Sequence, residues 1–364
     1  MTKEPNTKIR PVFDKNYITL ATSSSNEYVK YLSVWFQSVI ENASDTNNYD
    51  IIIFSDEISE GLKEKLLSQS SKKNISIRFF NPFEYETKLK ITITHNNFNR
   101  ACYFRLFAPL VLEHSKVLFT DCDLCFIKDP YLITKVDIEN IPGAACTDPI
   151  WVKVIENRRP LVKTPDSIKY AKETLKLRDV RKYFNTGVFY MNLDEFRKND
   201  YYSVIKKAID DNFFVFQEQC AINAVLNEQI KVLEEGWNTL VYEEVPDYVN
   251  ADTKVIHFPG LEKPWLYPSI KHADIWWSYA RRTPFYEEIL VRIMDLKAPS
   301  HPEFRNLYMT IHPFYFLLKK WRYRLLTHLT FGKKKEKYTK KYTTLKAKIK
   351  EQKEFVKQME GVLK

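Results

Sequence analysis

Two aspartates stand two apart, Asp121 and Asp123, inside the stretch KVLFTDCDLCFIKDP at Lys116–Pro130. They separate two short apolar runs, Val117–Phe119 and Leu124–Ile127. The runs are too short for helices and rich in β-formers, so the unit reads as strand, acidic tip, strand. Side chains two apart on an extended chain face the same way, so the carboxylates converge and Cys122 turns away. Two converging carboxylates can hold a hard divalent cation, and the cation can hold phosphate. The bland reading of the same residues is a polar turn between strands. Cys122 and Cys125 also spell C-x-x-C, but no second C-x-x-C completes a zinc site, so buried strand cysteines account better for the pair.

Other polar residues fall where an apolar chain would not place them by chance. Arg105 sits within NFNRACYFRLFAPLVL (Asn97–Leu112), which reads as a helix feeding into the acidic strand. An arginine in so apolar a context needs a partner, either an ion pair or a phosphate or sugar contact. Asn185 and Gly187 stand at the entrance of the strand FNTGVFYMNL (Phe184–Leu193). Glu218 and Gln219 fall within FFVFQEQCAIN (Phe213–Asn223), which leads into a helix through Asn227, and His257 nears the end of a last strand, KVIHF, which breaks at Pro259-Gly260. Each of these is weak by itself.

The elements that would position them follow from periodicity. Tyr17–Ala21 is a first buried strand, Tyr28–Asn42 a helix, Asp50–Ser55 a second strand, Glu60–Ser70 a helix and Ile75–Phe80 a third strand. Unbroken apolar strands alternating with helices predict a parallel sheet covered on both faces. Ligands on such sheets bind beyond the carboxyl ends of the strands, where the loop Thr22–Asn26 and the tip Asp121–Asp123 both fall. Gly143–Asp148 is a strand leaving the acidic unit, and the polar stretch Ile155–Arg181 reads as an insertion or lid.

Charge divides the chain. Residues 305–364 carry 17 Lys/Arg against 4 Asp/Glu, whereas residues 1–304 carry 39 against 42. That asymmetry is the mark of a charged arm on an ordinary body. Thr310–Phe331 places Phe314, Leu317, Leu318, Trp321, Leu325 and Leu329 at helical spacing, with Lys319, Lys320, Arg322 and Arg324 beside them. An aromatic stripe with a basic face predicts docking on an anionic bilayer; packing on the body is the alternative. No run of 18 apolar residues occurs, the N-terminus lacks an apolar signal core, and five cysteines make an odd set. These features predict a cytoplasmic protein peripheral to the inner face of the membrane, with no nucleic-acid partner.

Taken in order and spacing, D-x-D, F-N-T-G-V, E-Q and the ending H-x-x-G-x-x-K-P-W (His257 to Trp265) resemble glycosyltransferase family 8, of the bacterial lipopolysaccharide galactosyl- and glucosyltransferase type. The resemblance covers about Tyr17–Trp265. It implies an α/β GT-A fold, a mixed sheet flanked by helices, here with a helical basic C-terminal extension. It implies a UDP-hexose donor, Mn²⁺, retention of anomeric configuration and a saccharide or lipid-linked surface-glycan acceptor. By the same resemblance Asp121, Asp123 and His257 are metal ligands, and Gly260 and Lys263 contact the diphosphate. Arg105, Asn185, Glu218 and Gln219 line the donor sugar, with Glu218 and Gln219 catalytic, and Ala21, Ser25 and Gly187 belong to the donor site. Two carboxylates and an imidazole also suit Mn²⁺ better than Ca²⁺.

The chain departs from the family pattern twice. Ser25 stands where the family has an acid that helps hold uridine, and Thr22–Ser25 contains no acid at all. The family's D-Q-D reads Glu218-Gln219-Cys220, which lengthens one reach by a methylene and removes the second acid. These departures motivate the alternative of a non-catalytic nucleotide-sugar-binding or scaffold protein of the same fold. The expected organisation is a lead-in (1–16), a catalytic domain (17–300), a membrane-docking segment (301–332) and a Lys-rich helical tail (333–364).

Overall fold

The computed structural model describes residues 8–84, 100–157, 166–242, 246–260 and 262–296, and near the C-terminus 323–328, 332, 334–343 and 346. Ten strands follow the apolar runs: β1 (Tyr17–Ser23), β2 (Asn48–Phe54), β3 (Ile75–Phe80), β4 (Lys116–Thr120), β5 (Leu124–Phe126), β6 (Gly143–Thr147), β7 (Phe184–Asn192), β8 (Lys231–Val232), β9 (Thr239–Leu240) and β10 (Val255–His257). Seven form one sheet in the order β3-β2-β1-β4-β7-β6-β8, and the other three form a second sheet in the order β5-β10-β9.

β1 to β4 pair in parallel, with Leu20 opposite both Ile51 and Leu118. The interior residues of β1 and β2 are buried on both faces, which is why the runs show no alternation. β7 reverses direction and lies antiparallel to β4 and β6, making the sheet mixed. All nine of its residues are buried. With its flanking helices this is the expected α/β architecture.

One prediction fails in detail. Arg100–Phe107 winds as a 3-10 helix, and a single α turn, Ala108–Val111, follows it. A proline inside an α-helix clashes with the carbonyl four residues back, so a continuous helix through Pro109 is not available. Residues 97–99 of that prediction lie outside the described residues. The lead-in is tied down from Ile9, whose N–H donates to Val111 O at 2.7 Å and whose carbonyl accepts from Glu113 N–H at 2.9 Å.

The chain separates into two units, Met1–Tyr286 and Glu287–Lys364. Within the second, 323–328 and 334–343 are helical, and Tyr323 and Tyr338 stack at 6.3 Å. Most of the predicted membrane-docking segment and of the Lys-rich tail lies outside the described residues. Among the described residues no helix is long and apolar enough to cross a membrane.

At the start of β2 a buried carboxylate gathers three segments. Asp50 accepts two hydrogen bonds from Arg78 Nη2 at 2.7 Å, one from Val12 N–H at 3.2 Å, and lies 2.9 Å from His114 Nε2. Burial alone would raise its pKa, but the hydrogen bonds of His114 and Arg78, with their charge, hold it below the usual aspartate range. A carboxylate depressed in the folded state adds stability above its unfolded pKa and loses it as pH falls through the folded one. Asp50→Ala is therefore expected to cost about 3–5 kcal/mol at pH 7 and to weaken the loss of stability on acidification. Urea unfolding from pH 7 downward measures both.

Candidate active site and metal centre

β4 belongs to the large sheet and β5 to the small one, so Asp121–Asp123 is a bend between sheets and not a hairpin. Its backbone is pinned from both sides. Asp121 N–H donates to Gly187 O at 2.9 Å, and Asp123 O accepts from Phe258 N–H at 3.0 Å. The helix Val29–Asn42 holds the shoulders: Trp35 Nε1 donates to Thr120 Oγ1 at 2.9 Å, and Asn42 Nδ2 to Phe126 O at 2.9 Å. Ser38 Oγ accepts from Phe126 N–H at 3.0 Å. Since the tip has left strand geometry, the two-apart rule does not turn Cys122 away. Cys122 lines the same cleft as the aspartates, its thiol pKa pushed up by burial and by the neighbouring carboxylates.

β10 pairs antiparallel with β5, placing His257 opposite Leu124 and beside the tip. One ligand atom from each of Asp121, Asp123 and His257 falls within 4.8 Å of the others. His257 Nε2 lies 3.1 Å from Asp123 Oδ1 and 3.8 Å from Asp121 Oδ2. Two carboxylate oxygens and an imidazole nitrogen at this spacing fit a divalent cation. Each aspartate also has a buried cation. Lys263 Nζ pairs with Asp123 and donates to Phe258 O at 2.6 Å. Burial would raise the Asp123 pKa, yet Lys263 and His257 hold it far below the carboxylate range.

Arg105 is 1% exposed. It pairs with Asp121, donates to Thr186 O, and lies 3.7 Å from Glu218. It stands directly behind Asp121, Thr186 and Glu218 of the cleft wall and holds Asp121 in place. The 3-10 turn brings it there, one layer below the tip.

A cleft of about 460 Å³ gathers Ser23–Ser25, Tyr28, Asp121–Asp123, Asp148, Asn185, Thr186, Glu218, Gln219, Tyr242, His257, Gly260 and Lys263. Of the predicted residues, Ser25, Asp121, Asp123, Asn185, Glu218, Gln219, His257, Gly260 and Lys263 meet there. Ala21 does not: it lies in the core of β1 at 0% exposure, and the loop beyond it supplies the wall. Gly187 also stands behind the wall. A Cβ there would fall 2.2 Å from His257 Cε1, so the glycine makes room for the imidazole. Gly260 has φ +68, the left-handed region, and lies on the wall as expected.

Glu218 and Gln219 open the helix Gln217–Leu226 directly after a left-handed backbone at Gln217, φ 47. Both side chains line the cleft. Burial pushes the Glu218 carboxyl up to about 8, against the pull of Arg105. The Gln219 amide is held at both ends: Oε1 accepts from Thr186 N–H at 3.0 Å and Oγ1 at 3.3 Å, and Nε2 donates to Asp148 Oδ2 at 3.3 Å and Tyr183 OH at 3.2 Å. Cys220 faces the core beside Tyr183 OH at 3.2 Å and does not cap the helix.

Sequence reasoning passed over Asp148, Asn238, Thr186, Tyr28 and Tyr242. Asp148 caps the helix Pro149–Glu156 through Oδ1, accepting from Ile150 N–H and Trp151 N–H, while Oδ2 accepts from Asn185 Nδ2 at 3.1 Å. The pair Asp148-Pro149 is a readable helix start. Nothing local marks Asn238.

Residues 19–269 match the family described as glycosyl transferase family 8. General stress protein A of Bacillus subtilis (strain 168) is 22% identical over 267 residues, which cover 68% of this chain and 86% of that protein. A solved structure of the bifunctional glycosyltransferase WbbM matches with a TM-score of 0.71 and 23% identity, over 79% of this chain and 54% of that one. The chain thus spans about half of WbbM. The galactosyltransferase LgtC, solved with donor and acceptor sugar analogues, matches with a TM-score of 0.60 and 18% identity, over 73% of this chain and 96% of that one. At these identities the structural likeness shows the shared GT-A fold.

Gly187→Ala is expected to cost about 1–3 kcal/mol through overpacking against His257. Chemical denaturation of the purified variant measures it, and wild-type stability would show that the ring yields without cost.

Proposed function

The chain belongs to glycosyl transferase family 8, and on that premise we propose that it moves a hexose, glucose or galactose, from a UDP-sugar to a saccharide or lipid-linked surface-glycan acceptor, with retention and with Mn²⁺. The observation that carries the reading is the meeting of Asp121, Asp123 and His257 in the same cleft as Glu218 and Gln219. The three ligands would hold the cation. When bound, it supplies positive charge to a departing diphosphate.

The chain's own groups do the rest. Lys263 offers a second, fixed positive charge to the same leaving group, and Gly260 lets backbone approach phosphate closely. Ser23, Ser24, Ser25 and Tyr28 form the wall where the family's acid is missing, so the nucleoside is held by neutral groups. Glu218, mostly protonated at neutral pH, can donate a hydrogen bond to a sugar hydroxyl.

Retention usually calls for a carboxylate nucleophile. Here the nearest counterpart is an amide whose oxygen already accepts two hydrogen bonds, from the N–H and hydroxyl of Thr186. That leaves Gln219 a poor nucleophile and a rigid positioning group. We therefore favour attack on the face from which UDP departs. The anomeric C–O bond to diphosphate breaks, the bond to the acceptor oxygen forms on the same side, and the acceptor proton passes to the leaving phosphate. A covalent glycosyl adduct on Glu218, trapped and found by mass spectrometry, would overturn this.

The basic segment 310–364 is proposed to dock on anionic membrane at the cytoplasmic face, on the strength of its charge and aromatic stripe. Deleting it is expected to abolish flotation with vesicles containing anionic lipid, and unchanged flotation would refute it.

Release of UDP from a panel of UDP-sugars, with Mn²⁺ and with EDTA, tests the activity. Turnover is expected with Mn²⁺ only, and Asp123→Asn is expected to cut it by about 100-fold or more. Wild-type rates in that variant would sink the metal assignment.

A further inference from the structure

We infer that Asn238 is a positioning residue that fixes which nitrogen of His257 carries its proton and so keeps Nε2 as the metal-facing atom. The inference rests on the metal reading above and adds to it a residue outside the cleft wall. Two groups beside Asn185 have a hydrogen-bonding character beyond choice. Gly187 N–H can only donate, and it lies 2.9 Å from Asn185 Oδ1. The Asp148 carboxylate accepts from Asn185 Nδ2 at 3.1 Å. Both ends of the Asn185 amide are thereby oriented. The Asn238 atom 2.9 Å from Asn185 Oδ1 must then be its NH₂ group, which leaves the Asn238 oxygen 2.8 Å from His257 Nδ1. An oxygen at that distance requires a proton on Nδ1. All three side chains are at least nine-tenths buried, so water does not stand in for any partner.

The consequence reaches the metal centre. Nε2 is the nitrogen that points at Asp123 and Asp121. In the metal-free site Nε2 lies 3.1 Å from the Asp123 carboxylate and carries a proton toward it; a cation displaces that proton, and with the other kept on Nδ1 the ring offers the cation its Nε2 lone pair. Without Asn238 the neutral ring can keep its one proton on Nε2, facing Asp123, and that tautomer closes the ligand face. Partners of this kind orient metal-bound histidines and, when removed, weaken metal affinity about 10–100-fold.

The test uses the full-length protein at one fixed pH. Mn²⁺ affinity is measured by titration calorimetry, and the protonated ring nitrogen is identified by ¹⁵N–¹H correlation spectra of the metal-free protein, with His257 assigned by its own substitution. Asn238→Leu is expected to weaken Mn²⁺ binding about 10–100-fold and to lose the Nδ1 proton. Asn238→Asp, which keeps an acceptor for Nδ1 but loses the donor to Asn185, is expected to retain that proton and to bind Mn²⁺ more tightly than Asn238→Leu, an outcome that a merely space-filling role would not produce. A wild-type protein whose Nδ1 is bare overturns the inference. So does Asn238→Leu that folds and binds Mn²⁺ as wild type does. A wild-type protein that binds no Mn²⁺ overturns the metal assignment itself, which separates the two failures.

Discussion

Two carboxylates held side by side in a half-buried bend repel each other, and the site is arranged around that repulsion. Each has its own buried cation. Arg105 stands behind Asp121, and Lys263 pairs with Asp123. Removing a charge from water is costly unless it is paired and hydrogen-bonded. Arg105 meets that condition with Asp121, Glu218 and the carbonyl of Thr186. Lys263 meets it with Asp123 and the carbonyl of Phe258. The local order of the 3-10 turn, the β7 entrance and the loop after β10 all follow from the need to bring these partners inward.

A second layer is neutral and equally specific. From Gln219 a continuous series of hydrogen bonds runs through Asp148, Asn185 and Asn238 to His257, and His257 lies against Asp123. Every group in it is oriented by a neighbour with no freedom of its own, beginning with the backbone N–H groups of Gly187 and Thr186. Buried polar networks satisfied this fully rigidify a site, because no member can turn without leaving another unpaired.

Much of this was legible in the residue order. Apolar runs without alternation marked β1 and β2, and the D-x-D spacing together with the family pattern picked out Asp121, Asp123 and His257, which meet at the tip. What could not be read is whatever depends on contact across the chain. Pro109 ruled out a continuous helix, yet it did not say that the turn before it would bury Arg105. Alternation implied that Cys122 faces away, but alternation holds only while the chain is extended, and the strand ends at Thr120. The family pattern placed Gly187 in the donor site, but the residue order did not say that its missing side chain leaves the space taken by an imidazole from another sheet. Asn238 follows Trp237 in a stretch with no periodicity, and its role exists only once β9 lies beside β10.

The division of the tip between two sheets has a mechanical meaning. Asp121 follows a strand of the large sheet, while Asp123 directly precedes β5 of the small one and His257 ends the strand paired with it. An ion bound by all three is therefore a rivet across a seam. Its grip gauges how the two sheets are seated, and a slip of a fraction of an ångström between them would register first as a change in the ion's hold, well before any strand came apart.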